Sequence, residues 1–245
     1  MKAIILAAGR GKRMSNLTTN TPKPMLLLWQ KPILEYIILV LKKSGVEEII
    51  LVVGYKKDKI KKYFGNGQKF GVKIKYVTQS KQKGTGNALL ETEKYAPKIF
   101  LLHWGDILIP SILYQKLIKA YKKEKADILS GLNRVKDPTI GGAVYLNKNN
   151  YLVKIEKSPK KGESKTHFNQ AGISILNKKI FKYLKMIRRS KRDEYDIESA
   201  YNLMCQKELI KGYIFDKYLN KNWVDIKDKK EYFRLQKLPI PKFLK

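Results

Sequence analysis

The first part of the chain alternates between short apolar runs and helical patterns, and this alternation restricts the folds open to it. The apolar runs, which have the length of buried strands, are residues 3–6, 49–53, 74–77 and 99–102. The helical patterns between them are residues 32–43, 57–64 and 86–95. Strands and helices that alternate at intervals of roughly 25 residues are typical of βαβ units. The pattern therefore predicts an α/β fold whose parallel sheet carries helices on both faces.

The pattern changes after about residue 126. Strand-like runs in the second half are residues 128–132, 143–146, 151–155, 173–176 and 213–215. Further helical patterns are residues 111–125, 178–189, 196–208 and 229–238. No Pro-, Gly- or Ser-rich linker separates the two halves. We therefore predict a single domain over residues 1–245, whose second half adds strands and a lid-like substrate region.

The net charge of the chain is strongly positive. Its 245 residues include 52 Lys and Arg against 21 Asp and Glu, which gives a net charge of +31. A surface of this kind attracts nucleic acid, acidic membranes or phosphorylated small molecules. Only seven of the 52 basic residues are Arg, and base readout depends on an Arg fork that Lys cannot imitate. We therefore do not expect specific nucleic-acid recognition.

The counts of cysteine and histidine exclude several kinds of site. Cys205 is the single cysteine, so neither an internal disulfide nor a cysteine-rich metal site can form. Two histidines cannot build a three-histidine metal centre. No stretch approaches the roughly 18–20 apolar residues of a transmembrane helix, and the first apolar run is too short for an export signal. We expect a cytoplasmic protein that does not enter a membrane.

A glycine-rich turn follows the first predicted strand. Residues 6–14 read L-A-A-G-R-G-K-R-M, and residues 21–25 read T-P-K-P-M. Glycines at the carboxyl end of a parallel strand let backbone N–H groups approach a phosphate, because no Cβ is in the way. The turn is not a Walker A loop, which needs glycine where Leu6 stands and Ser or Thr where Arg13 stands. Together with Arg13, and with Lys23 between two prolines, it predicts a phosphate-binding site.

These motifs resemble the opening signature of the sugar-1-phosphate nucleotidyltransferases, the NDP-sugar pyrophosphorylases. Further blocks are similar to the same family and follow in its order over roughly residues 1–235. Those blocks are KPILEY at residues 31–36, Gln79 with KGTGNAL at 83–89, Gly105-Asp106, Glu156-Lys157, NQAGI at 169–173, EYDI at 194–197 and WVDI at 223–226. The resemblance implies a Rossmann-like mixed, mostly parallel sheet of the nucleotide-diphospho-sugar transferase type. It also implies that residues 1–126 bind the nucleotide and residues 127–245 the sugar phosphate.

The resemblance implies a reaction in which a sugar-1-phosphate attacks the α-phosphorus of an NTP and releases pyrophosphate. The attacking phosphate is already an anion near neutral pH, so catalysis depends on positioning and charge neutralisation and needs no dedicated general base. The implied catalytic residues are Arg13, Lys23 and Asp106, of which the two cations would neutralise phosphate charge. Asp106 and Asp225 would hold Mg²⁺ as hard oxygen ligands. The implied partners are the NTP and the sugar-1-phosphate, and a homo-oligomer is left open.

The same resemblance assigns binding residues to both substrates. Those carried over for the nucleotide are Leu6, Ala8, Gly9, Gly11, Gln79, Gly84 and Thr85. Those carried over for the sugar phosphate are Gly142, Glu156, Lys157, Asn169 and Trp223. Gln79 offers both a donor and an acceptor, which suits the imide edge of uracil or thymine. UTP or dTTP is therefore the favoured nucleotide, with GTP and CTP open.

Some positions depart from the family pattern. Trp29 and Gln30 stand where small, Gly-containing residues are usual, and this substitution is expected to reshape a turn. Lys227 stands where glycine follows the Asp-Ile pair, and it bears on the geometry around Asp225. Ser199 stands where relatives often carry Asp.

Three other functions stay open at the level of sequence. They are a mannose-1-phosphate guanylyltransferase, a cytidylyltransferase for another phosphorylated alcohol, and a non-catalytic regulatory or nucleic-acid-binding relative of the same fold. The non-catalytic relative would bind its partner through the surface that carries the net charge of +31. The set Arg13, Lys23, Asp106 and Asp225 argues against it, because a subunit without catalysis has no physical need for two metal-binding carboxylates.

Overall fold

A computed structural model of the chain describes residues 1–124, 126–138, 142–157, 159–160, 162–190, 193–207, 209–215 and 222–245. Its strands are β1 (Lys2–Ala7), β2 (Leu27–Leu28), β3 (Lys31–Pro32), β4 (Glu48–Val53), β5 (Lys73–Thr78), β6 (Ile99–Trp104), β7 (Ile107–Leu108), β8 (Ile128–Arg134), β9 (Gly142–Leu146), β10 (Leu152–Lys157), β11 (Phe168–Asn177), β12 (Ile210–Ile214) and β13 (Val224–Asp225). Its helices are α1 (Ile33–Lys43), α2 (Lys57–Phe64), α3 (Thr85–Leu90), α4 (Ser111–Tyr121), α5 (Ile180–Leu184), α6 (Ile197–Cys205) and α7 (Lys229–Gln236). Short 3-10 helices are Lys12–Thr18, Lys23–Met25, Gln68–Phe70 and Lys242–Leu244.

One mixed sheet joins both halves of the chain. Its main path runs β10-β9-β11-β6-β1-β4-β5, with β8 beside β11 and β12 beside β8. Strands β6, β1, β4 and β5 are parallel to one another, whereas β11 runs antiparallel to β6, β8 and β9. The prediction of a mixed, mostly parallel sheet flanked by helices is confirmed.

Alternating side chains of the central strands supply two hydrophobic cores, one on each face of the sheet. In β1, Ile5 packs into the core that α1, α4 and α7 cover, and Ile4 packs into the core that α3, α5 and α6 cover. Both side chains are fully buried, as expected of a strand covered on both faces. The carboxyl ends of the parallel strands β1, β4, β5 and β6 lie at one edge of the sheet, and the loops after β1 and β5 carry most of the predicted nucleotide residues.

Several predicted helices end earlier in the structure. The helix predicted over residues 86–95 is α3, which ends at Leu90. Just beyond it, the Thr92 hydroxyl donates to the Leu89 carbonyl at 2.7 Å, a side-chain bond that competes with continued helix. The predicted helix ends at residues 125 and 208 lie outside the described residues. None of the helices described is long and apolar enough to cross a membrane.

A two-residue hairpin that the sequence did not predict joins β2 and β3. Leu28 pairs with Lys31, so Trp29 and Gln30 form the turn. Both have positive φ, 48° and 71°, which is the backbone of a turn that favours Asn and Gly. The Trp29 indole N–H donates to the Leu238 carbonyl at 2.9 Å, so Trp29 ties the hairpin to the end of the chain. Gln30 is exposed.

Replacing Gln30 by glycine is expected to stabilise the protein. The left-handed backbone costs a non-glycine residue about 1–2 kcal/mol, and glycine loses part of that gain through the freedom of the unfolded chain. We expect the free energy of unfolding to rise by roughly 0.5–1 kcal/mol, measured by chemical denaturation. Gln68→Gly is the matched control, because Gln68 begins a 3-10 helix without positive φ and glycine there should lower stability. A Gln30 variant no more stable than wild type would contradict the strain argument.

Candidate active site

The glycine-rich turn after β1 folds directly onto Lys23. Gly11 has a φ of 74°, and a Cβ at this position would lie 2.8 Å from the Cβ of Lys23. The Gly11 carbonyl accepts from the Met14 N–H at 2.8 Å and from the Thr18 hydroxyl at 3.3 Å. Glycine is therefore required at residue 11 twice over, by backbone conformation and by the close approach of the lysine stem. At Gly9, by contrast, an added Cβ would meet nothing within 4 Å.

Lys23 is held in a partly buried ion pair with Asp106. It stands between the buried Pro22 and Pro24 in the sequence, and the residue is only 7% exposed. Its Nζ lies 2.7 Å from Oδ2 of Asp106, which follows β6. The sequence predicted a catalytic role for each residue, and the fold brings the two side chains into contact.

Asp225 lies beside Asp106 because two short strands pair. In the antiparallel pair β7–β13, Asp225 is opposite Ile107, and the Ile226 N–H donates to the Asp106 carbonyl at 3.1 Å. Burial raises the pKa of Asp225 to about 6, and the charge of Asp106 acts in the same direction. Lys23, Arg13 and Lys227 oppose this shift. Two carboxylates and a set of cations therefore share one partly buried site.

The carboxylate pair has the donor chemistry that Mg²⁺ prefers. Neighbouring carboxylates repel each other, and a bound cation relieves that repulsion. In the described ranges no group of three or more His, Cys, Asp or Glu side chains could enclose a metal ion. A pair such as Asp106 and Asp225 leaves coordination positions to phosphate and water, as Mg²⁺ sites in nucleotide enzymes commonly do. The residues present fit that cation.

The carboxyl edge of the parallel strands also holds the other predicted nucleotide residues. The Leu6 carbonyl accepts from the Gly105 N–H at 3.0 Å, and the Ala8 carbonyl accepts from the Tyr55 N–H at 3.0 Å. The Gln79 N–H donates to the Val53 carbonyl at 2.8 Å, which fixes its backbone at the end of β4.

Gln79 uses its side-chain donors within the protein. Its Nε2 donates to the Gly84 carbonyl at 3.0 Å and to Asn87 Oδ1 at 2.9 Å. The residue is buried. The group that Gln79 can offer to a base is therefore the acceptor Oε1, and not the donor–acceptor pair that the sequence suggested.

Hydrogen bonds join residues 83–86 to residues 194–197, a segment that leads into α6 and ends at its first residue. The Tyr195 N–H donates to the Lys83 carbonyl, and the Tyr195 carbonyl accepts from the Gly86 N–H, both at 2.7 Å. Thr85 Oγ1 accepts from the Ile197 N–H at 3.1 Å. A Cβ at Gly84 would lie 2.6 Å from the Tyr195 carbonyl oxygen. Gly84 and Thr85 thus help to join the first half of the chain to the second, in addition to any contact with a nucleotide.

The predicted sugar-phosphate residues gather at one end of three antiparallel strands. Lys157 in β10 is opposite Gly142 in β9, and Asn169 in β11 is opposite Ala143 in β9. The ammonium of Lys157 lies 2.6 Å from the carboxylate of Asp196, which is only 4% exposed.

Glu156, the neighbour of Lys157, also has polar partners. Its carboxylate accepts from the Tyr145 hydroxyl at 3.1 Å and from the Lys154 ammonium at 3.2 Å. The contacts of Lys157 and Glu156 with other side chains were not predicted. Asp196 belongs to a different motif from Lys157, and Tyr145 and Lys154 belong to no matched motif.

A cavity is lined both by Asn169 of the sugar-phosphate end and by Asp225 of the carboxylate pair. Its volume is about 260 Å³, and it is lined by Val135, Asp137, Asn169, Trp223, Asp225, Lys227 and Glu231. Trp223 is fixed in the wall by its indole N–H, which donates to the Ala171 carbonyl at 3.3 Å. Asn169, Trp223 and Asp225 were predicted from sequence, whereas Val135, Asp137 and Glu231 were not. No local motif marks those three, because β8 and α7 bring them to the cavity.

Comparison with known proteins decides the family. The family model described as nucleotidyl transferase matches residues 2–238. The chain belongs to this family. The resemblance to the sugar-1-phosphate nucleotidyltransferases is thereby confirmed.

Individual relatives agree with the family. The chain is 36% identical to the bifunctional protein GlmU of Methanocaldococcus jannaschii over 90% of this chain and 50% of that protein. It is 32% identical to the D-glycero-alpha-D-manno-heptose 1-phosphate guanylyltransferase of Campylobacter jejuni over 88% of this chain and 94% of that protein. The chain spans about half the length of the GlmU proteins it matches. A solved UDP-glucose pyrophosphorylase complexed with UDP-glucose shares the fold, with a TM-score of 0.83, 24% identity and 96% of each chain covered.

Proposed function

We propose that this chain is a nucleotidyltransferase that condenses an NTP with a sugar-1-phosphate to give an NDP-sugar and pyrophosphate. The observation that carries the proposal is the cluster of Lys23, Asp106 and Asp225 beneath the Gly11 turn. Cations and hard oxygen ligands meet there beside a cavity large enough for a small phosphorylated molecule. Membership of the family supports the same reaction.

The proposed reaction transfers a nucleotidyl group between two phosphate anions. An oxygen of the sugar phosphate attacks the α-phosphorus, the new P–O bond forms, and the bond to the β-phosphate oxygen breaks as pyrophosphate leaves. The attacking oxygen carries no proton near neutral pH, so a general base is not needed. His103 agrees with this, because it is fully buried against Tyr114 at 2.7 Å and burial lowers its pKa to about 4.

In the proposal, the chain contributes mainly charge and position. Lys23 would neutralise charge beside the α-phosphate, and Arg13 would stabilise the leaving pyrophosphate. Asp106 and Asp225 would hold Mg²⁺, which when bound supplies further positive charge to the phosphates. The sugar would bind at the strand ends of Gly142, Glu156, Lys157 and Asn169, against the wall formed by Trp223.

The nucleotide is proposed to be UTP or dTTP, with GTP as the second candidate. An acceptor at Gln79 Oε1 suits the N3–H of uracil and thymine, and it also suits the N1–H of guanine. The similarity to a heptose-1-phosphate guanylyltransferase of nearly the same length favours including GTP. An acceptor is less suited to cytosine, whose N3 is itself an acceptor.

A substrate matrix tests the function. Pyrophosphate release is measured for UTP, dTTP, GTP, CTP and ATP, each combined with glucose-, N-acetylglucosamine-, mannose- and heptose-1-phosphate, with and without Mg²⁺. We expect release with at least one pair, dependent on Mg²⁺ and strongest with UTP, dTTP or GTP. A folded protein that releases no pyrophosphate with any pair would overturn the proposal. RNA binding that falls steeply with salt, without turnover, would favour the non-catalytic alternative.

A further inference from the structure

Lys227 is a cation that the family pattern does not supply. The sequence resemblance leads us to expect glycine at this position, and a glycine can mark a backbone that other residues avoid. Lys227 is not among the residues with positive φ in the described chain. The backbone there accepts a side chain without strain, so the substitution adds an ammonium and removes nothing that the local geometry requires.

Residues 223–227 place alternate side chains in the cavity wall and against the hydrophobic core. Side chains of an extended segment point alternately to opposite sides. Trp223, Asp225 and Lys227 all line the cavity, whereas the intervening Ile226 is fully buried in the hydrophobic core. The alternation thus explains why Lys227 shares a wall with the predicted metal ligand and the predicted sugar wall.

The charge of Lys227 acts within the site. It is one of three cations whose field reaches the Asp225 carboxylate, with Lys23 and Arg13. Arg13 belongs to the glycine-rich turn and Lys23 packs against that turn, which is the predicted triphosphate side. Lys227 lies instead on the wall that carries Trp223 and Asn169, which is the predicted sugar side.

Lys157, the cation carried over for the sugar phosphate, is engaged elsewhere in the free chain. Its ammonium is paired at 2.6 Å with Asp196, which is nearly fully buried. A phosphate that enters the cavity beside Asp225 therefore meets Lys227 on the cavity wall itself.

We propose that Lys227 binds the phosphate of the sugar-1-phosphate, as an additional substrate-binding cation of this chain. This inference rests on the proposed function. The ammonium would donate to a non-attacking phosphate oxygen and hold the phosphate on the side of the cavity next to Asp225. Lys227 should therefore affect the binding of the sugar-1-phosphate and not the binding of the NTP.

Kinetics of Lys227→Met test this role, with the sugar-1-phosphate that the wild type uses fastest. A hydrogen bond to a charged group is worth roughly 10- to 100-fold in binding, so we expect KM for the sugar-1-phosphate to rise by about that factor. KM for the NTP should change less than about threefold. Inorganic phosphate competes with the sugar-1-phosphate, and its inhibition constant should rise together with the KM for the sugar-1-phosphate. Lys227→Arg should recover most of the loss because it keeps the charge.

Lys230→Met is the matched control, since Lys230 is an exposed lysine on α7 that does not line the cavity. We expect it to behave as wild type. Unchanged kinetics for Lys227→Met in an active enzyme would overturn this inference alone. A rise confined to the KM of the NTP would also overturn it, and would assign Lys227 to the triphosphate. If Lys227→Met unfolds, Lys227→Gln provides the same test. A wild type inactive with every substrate pair would overturn the proposed function and this inference together.

Discussion

Replacing Lys23 by methionine is expected to lower kcat for pyrophosphate release by about 10²–10³. This is the usual loss when one fixed donor to a developing negative charge is removed from a site sheltered from water. Lys23 meets that description because the residue is buried and its ammonium is fixed 2.7 Å from Asp106 Oδ2. Methionine keeps most of the volume of the stem that packs against Gly11, so the loss should reflect the missing charge.

Lys12→Met separates this effect from a general loss of positive charge. Lys12 is an exposed cation that begins the 3-10 helix after the same turn. We expect its substitution to change kcat less than about twofold. Steady-state rates at saturating substrates and Mg²⁺ provide the comparison, with circular dichroism to verify folding. A folded Lys23 variant with kcat within about threefold of wild type would show that this cation does not act on the reacting phosphates.

The sequence predicted which residues meet at the carboxylate cluster, but it did not predict how they meet. Lys23, Asp106 and Asp225 each belong to a motif with its own signature, so each was identified separately. The position of Asp225 beside Asp106 depends on the pairing of β7 and β13, strands of two residues each. Strands this short have no readable periodicity, and their pairing is fixed only when the rest of the sheet is formed.

Contacts that form only in the folded chain account for the other differences between the predicted site and the observed one. The partner of Lys157 is Asp196, which belongs to a separate motif. The donors of Gln79 are used by Gly84 and Asn87, and this internal use removes the donor on which its match to a pyrimidine partly rested. By contrast, the alternation of short apolar runs with helical patterns was sufficient to predict β1, β4, β5 and β6. Strands β1, β4 and β6 are largely buried, and β5 is the edge strand of the same parallel group. Local periodicity thus predicts elements, whereas side-chain partners depend on the finished packing.

Asp106→Asn and Asp225→Asn are expected to have large effects that do not add. Each variant removes one of two neighbouring carboxylates in the same partly buried site, and we expect kcat to fall by about 10²–10³ for each. If both carboxylates bind one Mg²⁺, the first substitution already removes most of the rate enhancement that the metal provides. The kcat of the double variant should then be only slightly below that of the slower single variant. The Mg²⁺ concentration for half-maximal rate should rise in both single variants.

Asp228→Asn provides a control with the same change of charge close to the site. Asp228 caps α7, where its side chain accepts from the Glu231 N–H at 2.8 Å, and asparagine is an equally good cap. This variant should keep the wild-type rate and Mg²⁺ dependence. Pyrophosphate release measured across a Mg²⁺ titration for all four variants gives the result. An Asp225→Asn enzyme with unchanged Mg²⁺ dependence would remove Asp225 from the metal site, whereas additive losses in the double variant would mean that the two carboxylates act independently.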